Sequence, residues 1–131
     1  MSSVTKVAIG VVQSDGHVLV GVRPDGAELA GMTEFPGGKC ETGETPRVCV
    51  VRECREETGL MVVPREHLTT TTQTYDHGTV ELHFWSCELA NDLPDRAAVS
   101  DPFRWVKRDE LSSLNFPEGN RDVLEILAKG D

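Results

Sequence analysis

Residues 37–60 read GGKCETGETPRVCVVRECREETGL, and this stretch carries the clearest structural signals in the chain. A pair of glycines opens a polar loop. Thr45 followed by Pro46 is a typical helix start, because a threonine side chain caps the first amides and proline suits the first turn. Gly59 is typical of the residue that follows the end of a helix. The stretch therefore predicts a loop followed by a helix over residues 46–58.

Strand-like and helix-like segments lie on both sides of this loop and helix. Alternating and β-branched patterns predict strands over residues 4–12, 17–23, 68–75, 79–89 and 103–106, and helical spacing predicts a turn over 109–114 and a helix over 121–129. Loops are predicted over residues 27–33, 35–38 and 91–102. Five or six strands, mostly joined by hairpins, and two substantial helices predict an α+β fold in which helices flank a mixed sheet.

Length and composition limit the chain to one globular domain, expected over residues 1–131. Of its 131 residues, 38% are hydrophobic and 27% are charged, which is enough to bury a core without disulfides or a structural metal. No apolar run approaches the ~20 residues that cross a membrane, and the first residues lack a signal-peptide layout. We therefore expect a soluble protein.

The charge balance restricts the classes of partner. Thirteen Lys and Arg residues against 22 Asp and Glu residues give a formal net charge of −9. Such a surface is unsuited to a nucleic-acid polymer or an anionic membrane, but it can bind a small phosphorylated ligand if a cation offsets the repulsion. Neither the four cysteines nor the four histidines have metal-ligand spacing, which favours reduced thiols, a cytoplasmic location and no zinc site.

Three glutamates of the predicted helix form the main candidate site. Glu53, Glu56 and Glu57 occupy positions i, i+3 and i+4, so their side chains lie on one face of a helix. Carboxylates crowded in this way repel each other unless a charge neutralises them. Oxygen-rich clusters suit the hard cations Mg²⁺ and Mn²⁺.

The alternative is a solvated acidic surface that binds nothing. At 100° per residue, however, Glu53 falls between Cys49 and Val50, and Glu57 falls between Val50 and Cys54. Both acids then point toward partly apolar surroundings, where an unpaired carboxylate is costly. The residues alone therefore favour metal binding, but they do not exclude the alternative of a solvated acidic surface.

The spacing of these residues resembles the Nudix box, the signature of the Nudix hydrolases. Its fixed positions are filled by Gly38, Glu44 and the run RECREETGL at 52–60, in which Cys54 and Leu60 take apolar positions. Nine constrained positions make a chance match very improbable. The chain also resembles the MutT-type subgroup of this family at EFPGGK (34–39), Trp105–Val106 and FPEGN (116–120). With Arg23 included, the resemblance covers residues 4–127.

The resemblance implies a fold, an activity and a partner. The fold is an α/β/α sandwich around a mixed sheet, and the activity is hydrolysis of nucleoside triphosphates, especially 8-oxo-dGTP, to the monophosphate and pyrophosphate. The partner is a small-molecule nucleotide, and we expect a monomer or a weak homodimer. Two alternatives remain, a Nudix hydrolase for CTP, ADP-ribose or a nucleotide sugar, and an inactive Nudix-fold binding module.

The resemblance also implies roles for the residues of the box. Mg²⁺, with Mn²⁺ as a substitute, assists the attack of water on the β-phosphorus. The implied metal ligands are Glu53, Glu56, Glu57 and a backbone carbonyl of Gly37–Gly38. Glu53 is also the candidate general base, Arg52 and Glu44 orient the carboxylates, and Lys39 contacts phosphate or a neighbouring acid. Asp95 and Asp101 are weak candidates for a further metal ligand.

Four residues are predicted to bind the substrate, and three of them have a structural alternative. Arg23 pairs with phosphate or ends an exposed strand, and Glu34 lies in the EFPGGK stretch. Phe35 stacks on the base or belongs to the core. Asn120 reads a purine edge through its donor and acceptor, or caps the last helix.

Overall fold

The chain forms a sheet with an α-helix on each side. The computed structural model describes residues 3–90, 99 and 101–129. Its strands are β1 (Val4–Ser14), β2 (His17–Val22), β3 (Thr33–Glu34), β4 (Gly37–Lys39), β5 (Val62–Tyr75), β6 (Gly78–Leu89) and β7 (Arg104–Lys107), and its α-helices are α1 (Pro46–Thr58) and α2 (Arg121–Lys129). Two 3-10 helices, Arg108–Ser113 and Glu118–Asn120, connect β7 to α2.

The sheet is mixed. Its main path has the order β3-β2-β1-β6-β5, while β4 pairs with β1 and β7 pairs with β2. The long central strands β1 and β6 run parallel, with Val4 opposite Thr79 and Gln13 opposite Glu88, and the other pairs are antiparallel. The predicted mixed sheet flanked by helices is confirmed.

Local signals determine the ends of α1. The Thr45 hydroxyl accepts a hydrogen bond from the Val48 amide (3.2 Å), and Pro46 is the first helical residue. Gly59 follows the helix with φ of 80°, a left-handed conformation that glycine adopts without strain, and its amide donates to the Arg55 carbonyl. The helix predicted over residues 46–58 is therefore confirmed at both ends.

The sheet separates two cores, because successive side chains of a strand point to opposite faces. The α1 side of the sheet is filled by buried side chains that include Ala8, Val12, Cys49, Val50 and Cys54. The α2 side is filled by a second set that includes Val11, Phe35, Phe84, Val123 and Leu127. Helix α1, the sheet and helix α2 are therefore the three layers of an α/β/α sandwich.

Three features differ from the sequence prediction. The described residues contain seven strands rather than five or six, since β3 and β4 lie in segments that were expected to be loops. Strands of two and three residues are too short to show a periodic pattern, and they exist because of pairing with distant strands. Strand β5 begins at Val62 rather than at Leu68, because register shifts between Pro64 and Glu66 and between His67 and Thr69 interrupt its alternation.

Residues 91–98 and 100 of the predicted loop 91–102, including Asp95, lie outside the described residues. Asp101 is exposed in the turn before β7. Within the described part of the chain, no helix has the length and apolar character needed to cross a membrane.

Candidate active site

Arg52 lies at the centre of an ion-pair network on α1. Its Nε and Nη2 atoms donate to the two carboxylate oxygens of Glu44 at 2.7 and 2.8 Å. Its Nη1 atom donates to Glu53 (3.0 Å) and Glu56 (3.1 Å), and Nη2 also donates to the Lys39 carbonyl (3.1 Å). One guanidinium therefore connects the loop after β4 to two of the three candidate metal ligands.

The loop carboxylate of this network is held in its ionised form. Hydrogen bonds from Arg52, and then from the Glu41 amide, lower the pKa of Glu44 to about 2. The same contact with Glu44 raises the pKa of Arg52 above its already high ordinary value. The Glu44 side chain is only 12% exposed, and its two-point contact with Arg52 resists rotation of the guanidinium.

The three glutamates have different environments. The Glu53 side chain is 15% exposed, whereas that of Glu56 is 59% exposed. The Glu57 carboxylate accepts a hydrogen bond from the Gly37 amide at 3.0 Å. Glu53 and Glu57 thus both lie against β4, although Glu57, like Glu56, remains exposed to solvent.

The carboxylates around Glu57 lack sufficient neutralisation. The pKa of Glu57 is raised to about 7: partial burial is the main cause, the hydrogen bond from the Gly37 amide opposes it, and repulsion from Glu34, Glu53 and Glu56 adds to it. A group of four acids that raises a pKa in this way favours the binding of a cation.

A cavity of about 400 Å³ lies beside this carboxylate group. The residues that line it include all four that were predicted to bind the substrate, namely Arg23, Glu34, Phe35 and Asn120. Gly37, whose amide contacts Glu57, also lines the cavity. The candidate metal ligands and the candidate substrate-binding residues, which the sequence predicts separately, are therefore adjacent in the structure.

Arg23 and Glu34 form an ion pair in the cavity wall. The Arg23 Nη1 atom lies 3.2 Å from Glu34 Oε1, and Arg23 Nε donates to the Glu28 carbonyl at 2.7 Å. Burial raises the pKa of Glu34, and the charge and hydrogen bond of Arg23 oppose this effect. Strand β2 ends at Val22, one residue before the predicted strand end at Arg23. Arg23 thus lies just after the strand, and its guanidinium pairs with the Glu34 carboxylate.

Phe35 and Asn120 occupy other parts of the wall. The Phe35 side chain is 5% exposed, and its ring stacks on Phe116 with centroids 4.8 Å apart, so most of its surface packs in the core on the α2 side. Asn120 precedes α2 directly, and its Nδ2 atom donates to the Pro117 carbonyl at 3.3 Å.

Comparison with known proteins identifies the family. A profile described as NUDIX domain matches residues 7–126. The chain belongs to the Nudix family. It is a Nudix hydrolase, an enzyme that hydrolyses pyrophosphate bonds, and Nudix hydrolases generally depend on a divalent metal.

Individual Nudix proteins resemble the chain over nearly its whole length. The 8-oxo-dGTP diphosphatase of Escherichia coli is 29% identical over 125 residues, which cover 95% of this chain and 96% of the relative. The CTP pyrophosphohydrolase of Escherichia coli is 34% identical over 123 residues, covering 90% and 85%. The solution structure of the Nudix hydrolase MutT from methicillin-resistant Staphylococcus aureus is 31% identical, with a TM-score of 0.75 and coverage of 99% and 100%.

The donor chemistry of this Nudix hydrolase fits a hard divalent cation. The carboxylates that act electrostatically on Glu57 supply only oxygen atoms, which such cations prefer. Within the described part of the chain, however, no three His, Cys, Asp or Glu side chains are grouped in a preformed metal site. Glu53 instead bonds Arg52, and Glu57 bonds the Gly37 amide.

Sequence reasoning did not identify two polar residues of β5 that line the cavity of the Nudix hydrolase. Gln73 and Tyr75 of β5 line the cavity, and the Tyr75 hydroxyl donates to Gln73 Oε1 at 2.9 Å. The Tyr75 ring also stacks on His77, with centroids 5.3 Å apart. Their spacing by two places them on one face of a strand, but only the pairing of β5 shows which face lines the cavity.

The Lys39 side chain is exposed at the end of β4. Its backbone carbonyl, rather than its ammonium group, makes the contact with Arg52 (3.1 Å). The contact of its side chain with phosphate stays a prediction.

Proposed function

We propose that this Nudix hydrolase converts nucleoside triphosphates to the monophosphate and pyrophosphate, and that it prefers oxidised purine nucleotides such as 8-oxo-dGTP. The observation that carries the proposal is the position of the cavity, which shares Gly37 with the carboxylate group. A base in the cavity would extend its phosphates toward the acids. The similarity to an 8-oxo-dGTP diphosphatase over 95% of the chain supports this substrate class and a role in nucleotide-pool sanitation.

The proposed metal is Mg²⁺, with Mn²⁺ as a substitute. Its proposed ligands are Glu53, Glu56, Glu57 and a backbone carbonyl of Gly37–Gly38. When bound, the cation supplies charge neutralisation for the triphosphate and polarises its phosphoryl oxygens. The repulsion that Glu34, Glu53 and Glu56 exert on Glu57 supports this assignment, because a cation would neutralise these charges.

The residues around the ligands position the reaction. Phosphoryl transfer depends mainly on orientation and electrostatics, so the proposed role of Arg52 is to hold Glu53 and Glu56 in place while Glu44 fixes the guanidinium. Glu53, 15% exposed, is the proposed base for the attacking water. Lys39 is proposed to contact a phosphate from the end of β4.

The cavity wall is proposed to bind the nucleoside. Asn120 offers a donor and an acceptor for a purine edge. Its Nδ2 atom already has a partner in Pro117, while its Oδ1 atom accepts no hydrogen bond from the residues that the structure describes. Arg23, with Glu34 beside it, is proposed to contact the sugar-phosphate part, and Phe35 supports the base from the core side.

A CTP-specific enzyme is the second candidate. The CTP pyrophosphohydrolase of Escherichia coli is 34% identical to this chain, compared with 29% for the 8-oxo-dGTP diphosphatase. The carboxylate group would serve both substrates equally, because it contacts only phosphate. The nucleotides therefore have to be compared directly.

The substrate panel uses 8-oxo-dGTP, dGTP, CTP and ADP-ribose at saturating Mg²⁺, with pyrophosphate and phosphate release measured separately. We expect pyrophosphate release and the highest kcat/KM for 8-oxo-dGTP. Because a protein of net charge −9 repels a triphosphate, activity should also rise steeply with free Mg²⁺. Preference for CTP would select the second candidate, and tight nucleotide binding in excess chelator without turnover would indicate a binding module.

Replacing Asn120 by alanine tests base reading. Loss of a buried hydrogen bond to the base should cost about 1–3 kcal/mol of transition-state stabilisation, which lowers kcat/KM for the preferred nucleotide roughly 5- to 150-fold. The kcat/KM of other nucleotides should fall less. Asn115→Ala, an exposed asparagine, is the matched control. If Asn120 only caps α2, the variant should instead lose about 1 kcal/mol of stability and keep its substrate preference.

We further propose that residues 1–131 form a single domain that acts on free nucleotides in the cytoplasm. The family match over residues 7–126 and the packing of both cores on one sheet support this organisation. The negative net charge supports small nucleotides rather than nucleic-acid polymers as partners.

A further inference from the structure

Strand β5 forms one edge of the sheet. It lies at the end of the strand order β3-β2-β1-β6-β5, and among the described residues its only strand partner is β6. The opposite end of this path is β3, which has only two residues. A long edge strand presents unpaired backbone N–H and C=O groups to solvent, and these groups match only another extended strand. Among the described strands that have a single strand partner, β5 with 14 residues is by far the longest, since β4 has three and β7 has four, so its edge offers the most room to extend the sheet.

The two halves of β5 differ in their suitability for pairing. The first half carries Arg65, Glu66 and His67 and is interrupted by two register shifts. Charges and bulges of this kind protect an edge from association. The second half, LTTTTQTY over residues 68–75, has no charged residue, proline or glycine, and it pairs regularly with β6 from Thr69 to Tyr75.

We propose that the second half of β5 pairs with the same segment of a second copy of this chain, as antiparallel edges of one continuous sheet. A two-fold axis at Thr72 would place Thr72 opposite itself and Thr70 opposite Thr74, and every facing pair would be neutral. Facing threonines stabilise antiparallel strands. Two molecules of net charge −9 repel each other, so an uncharged segment is the favourable place for them to meet.

This pairing is compatible with the proposed active site. Gln73 and Tyr75 line the cavity, so Thr70, Thr72 and Thr74 project to the opposite face of the sheet. A substitution at the exposed Thr72 therefore removes no contact with the substrate.

A charge-swap experiment at the two-fold axis tests the proposal. Sedimentation velocity should detect a concentration-dependent dimer of the wild-type protein that becomes stronger with salt. Thr72→Lys and Thr72→Glu should each weaken it about fivefold or more, because like charges then face each other across the axis. An equimolar mixture of the two variants should restore the dimer. Hydrogen exchange should show protection of amides in residues 69–75 as concentration rises.

The control variant is Ala128→Lys, which makes a similar charge change on the exposed surface of α2 and should leave association unchanged. Thr72→Lys brings the net charge closer to zero, so general electrostatics would favour association, the opposite of the expected result. A wild-type protein that stays monomeric at several hundred micromolar would overturn the proposal. A dimer that is insensitive to both Thr72 variants, or protection of residues 69–75 only by a different protein, would also overturn it.

Discussion

Replacing Glu57 by glutamine is expected to abolish most hydrolysis and to leave the fold intact. The substitution preserves the shape of the side chain, and the amide oxygen can still accept the hydrogen bond from Gly37. It removes one charge from the group that is proposed to hold Mg²⁺. Charge stabilisation by a catalytic metal amounts to several kcal/mol, so kcat should fall by about 100-fold or more. Steady-state kinetics at saturating Mg²⁺ measure this loss, and turnover at the wild-type rate would exclude the metal assignment.

The same variant should be more stable than the wild type when metal is absent. The folded-state pKa of Glu57 is about 7, above its ordinary value of 4.5, so the folded protein holds this proton more tightly than the unfolded chain does. Its contribution to stability is therefore complete below pH 4.5 and is lost as the pH rises toward 7. After allowance for solvent screening, the loss is on the order of 1–2 kcal/mol.

Thermal unfolding in chelator distinguishes this effect from a general change in stability. At pH 8, Glu57→Gln should melt several degrees above the wild type, and at pH 4.5 the two should melt together. Glu56→Gln is the matched control, since Glu56 is 59% exposed and its removal should change the metal-free melting temperature less. Equal melting temperatures of Glu57→Gln and the wild type at pH 8 would mean that neither partial burial nor carboxylate repulsion destabilises the ionised Glu57 side chain in the folded protein.

The ends of α1 could be predicted from sequence because their causes are local. Thr45, Pro46 and Gly59 act within one turn of the helix, and each lies where its residue type predicts. The short strands β3 and β4 could not be predicted in this way. Their hydrogen bonds go to β2 and β1, and nothing within a few residues of Thr33 or Gly37 encodes this pairing.

The same distinction applies to the candidate site. The spacing of Glu53, Glu56 and Glu57 predicts which side chains belong to it, but not that Glu57 accepts a hydrogen bond from the Gly37 amide while Glu56 pairs with Arg52. That difference arises from the packing of β4 on α1. Gln73 and Tyr75 were not predicted because the face of a strand depends on its register with β6.

Alanine substitutions at Gly37 and Gly38 are expected to have opposite consequences, although the two residues are adjacent. A Cβ atom on Gly38 would collide with the Glu53 carboxylate, at the flexible end of that side chain. The carboxylate can move aside without disturbing the backbone. Gly38→Ala should therefore fold with nearly unchanged stability but displace Glu53, and a misplacement of about 1 Å at a catalytic group can reduce kcat about 100-fold.

A Cβ atom on Gly37 would instead contact backbone, within 2.8 Å of Ile9 Cα and closer still to the Ala8 carbonyl oxygen. Strand β1 cannot yield easily, because it pairs with β6 along most of its length. Gly37→Ala should lose about 1–3 kcal/mol of stability, the usual cost of overpacking. Melting temperature and kcat measured on both variants test the contrast. If Gly38→Ala keeps wild-type turnover, the position of the Glu53 carboxylate does not limit catalysis, and the proposed base has to be sought elsewhere in the carboxylate group.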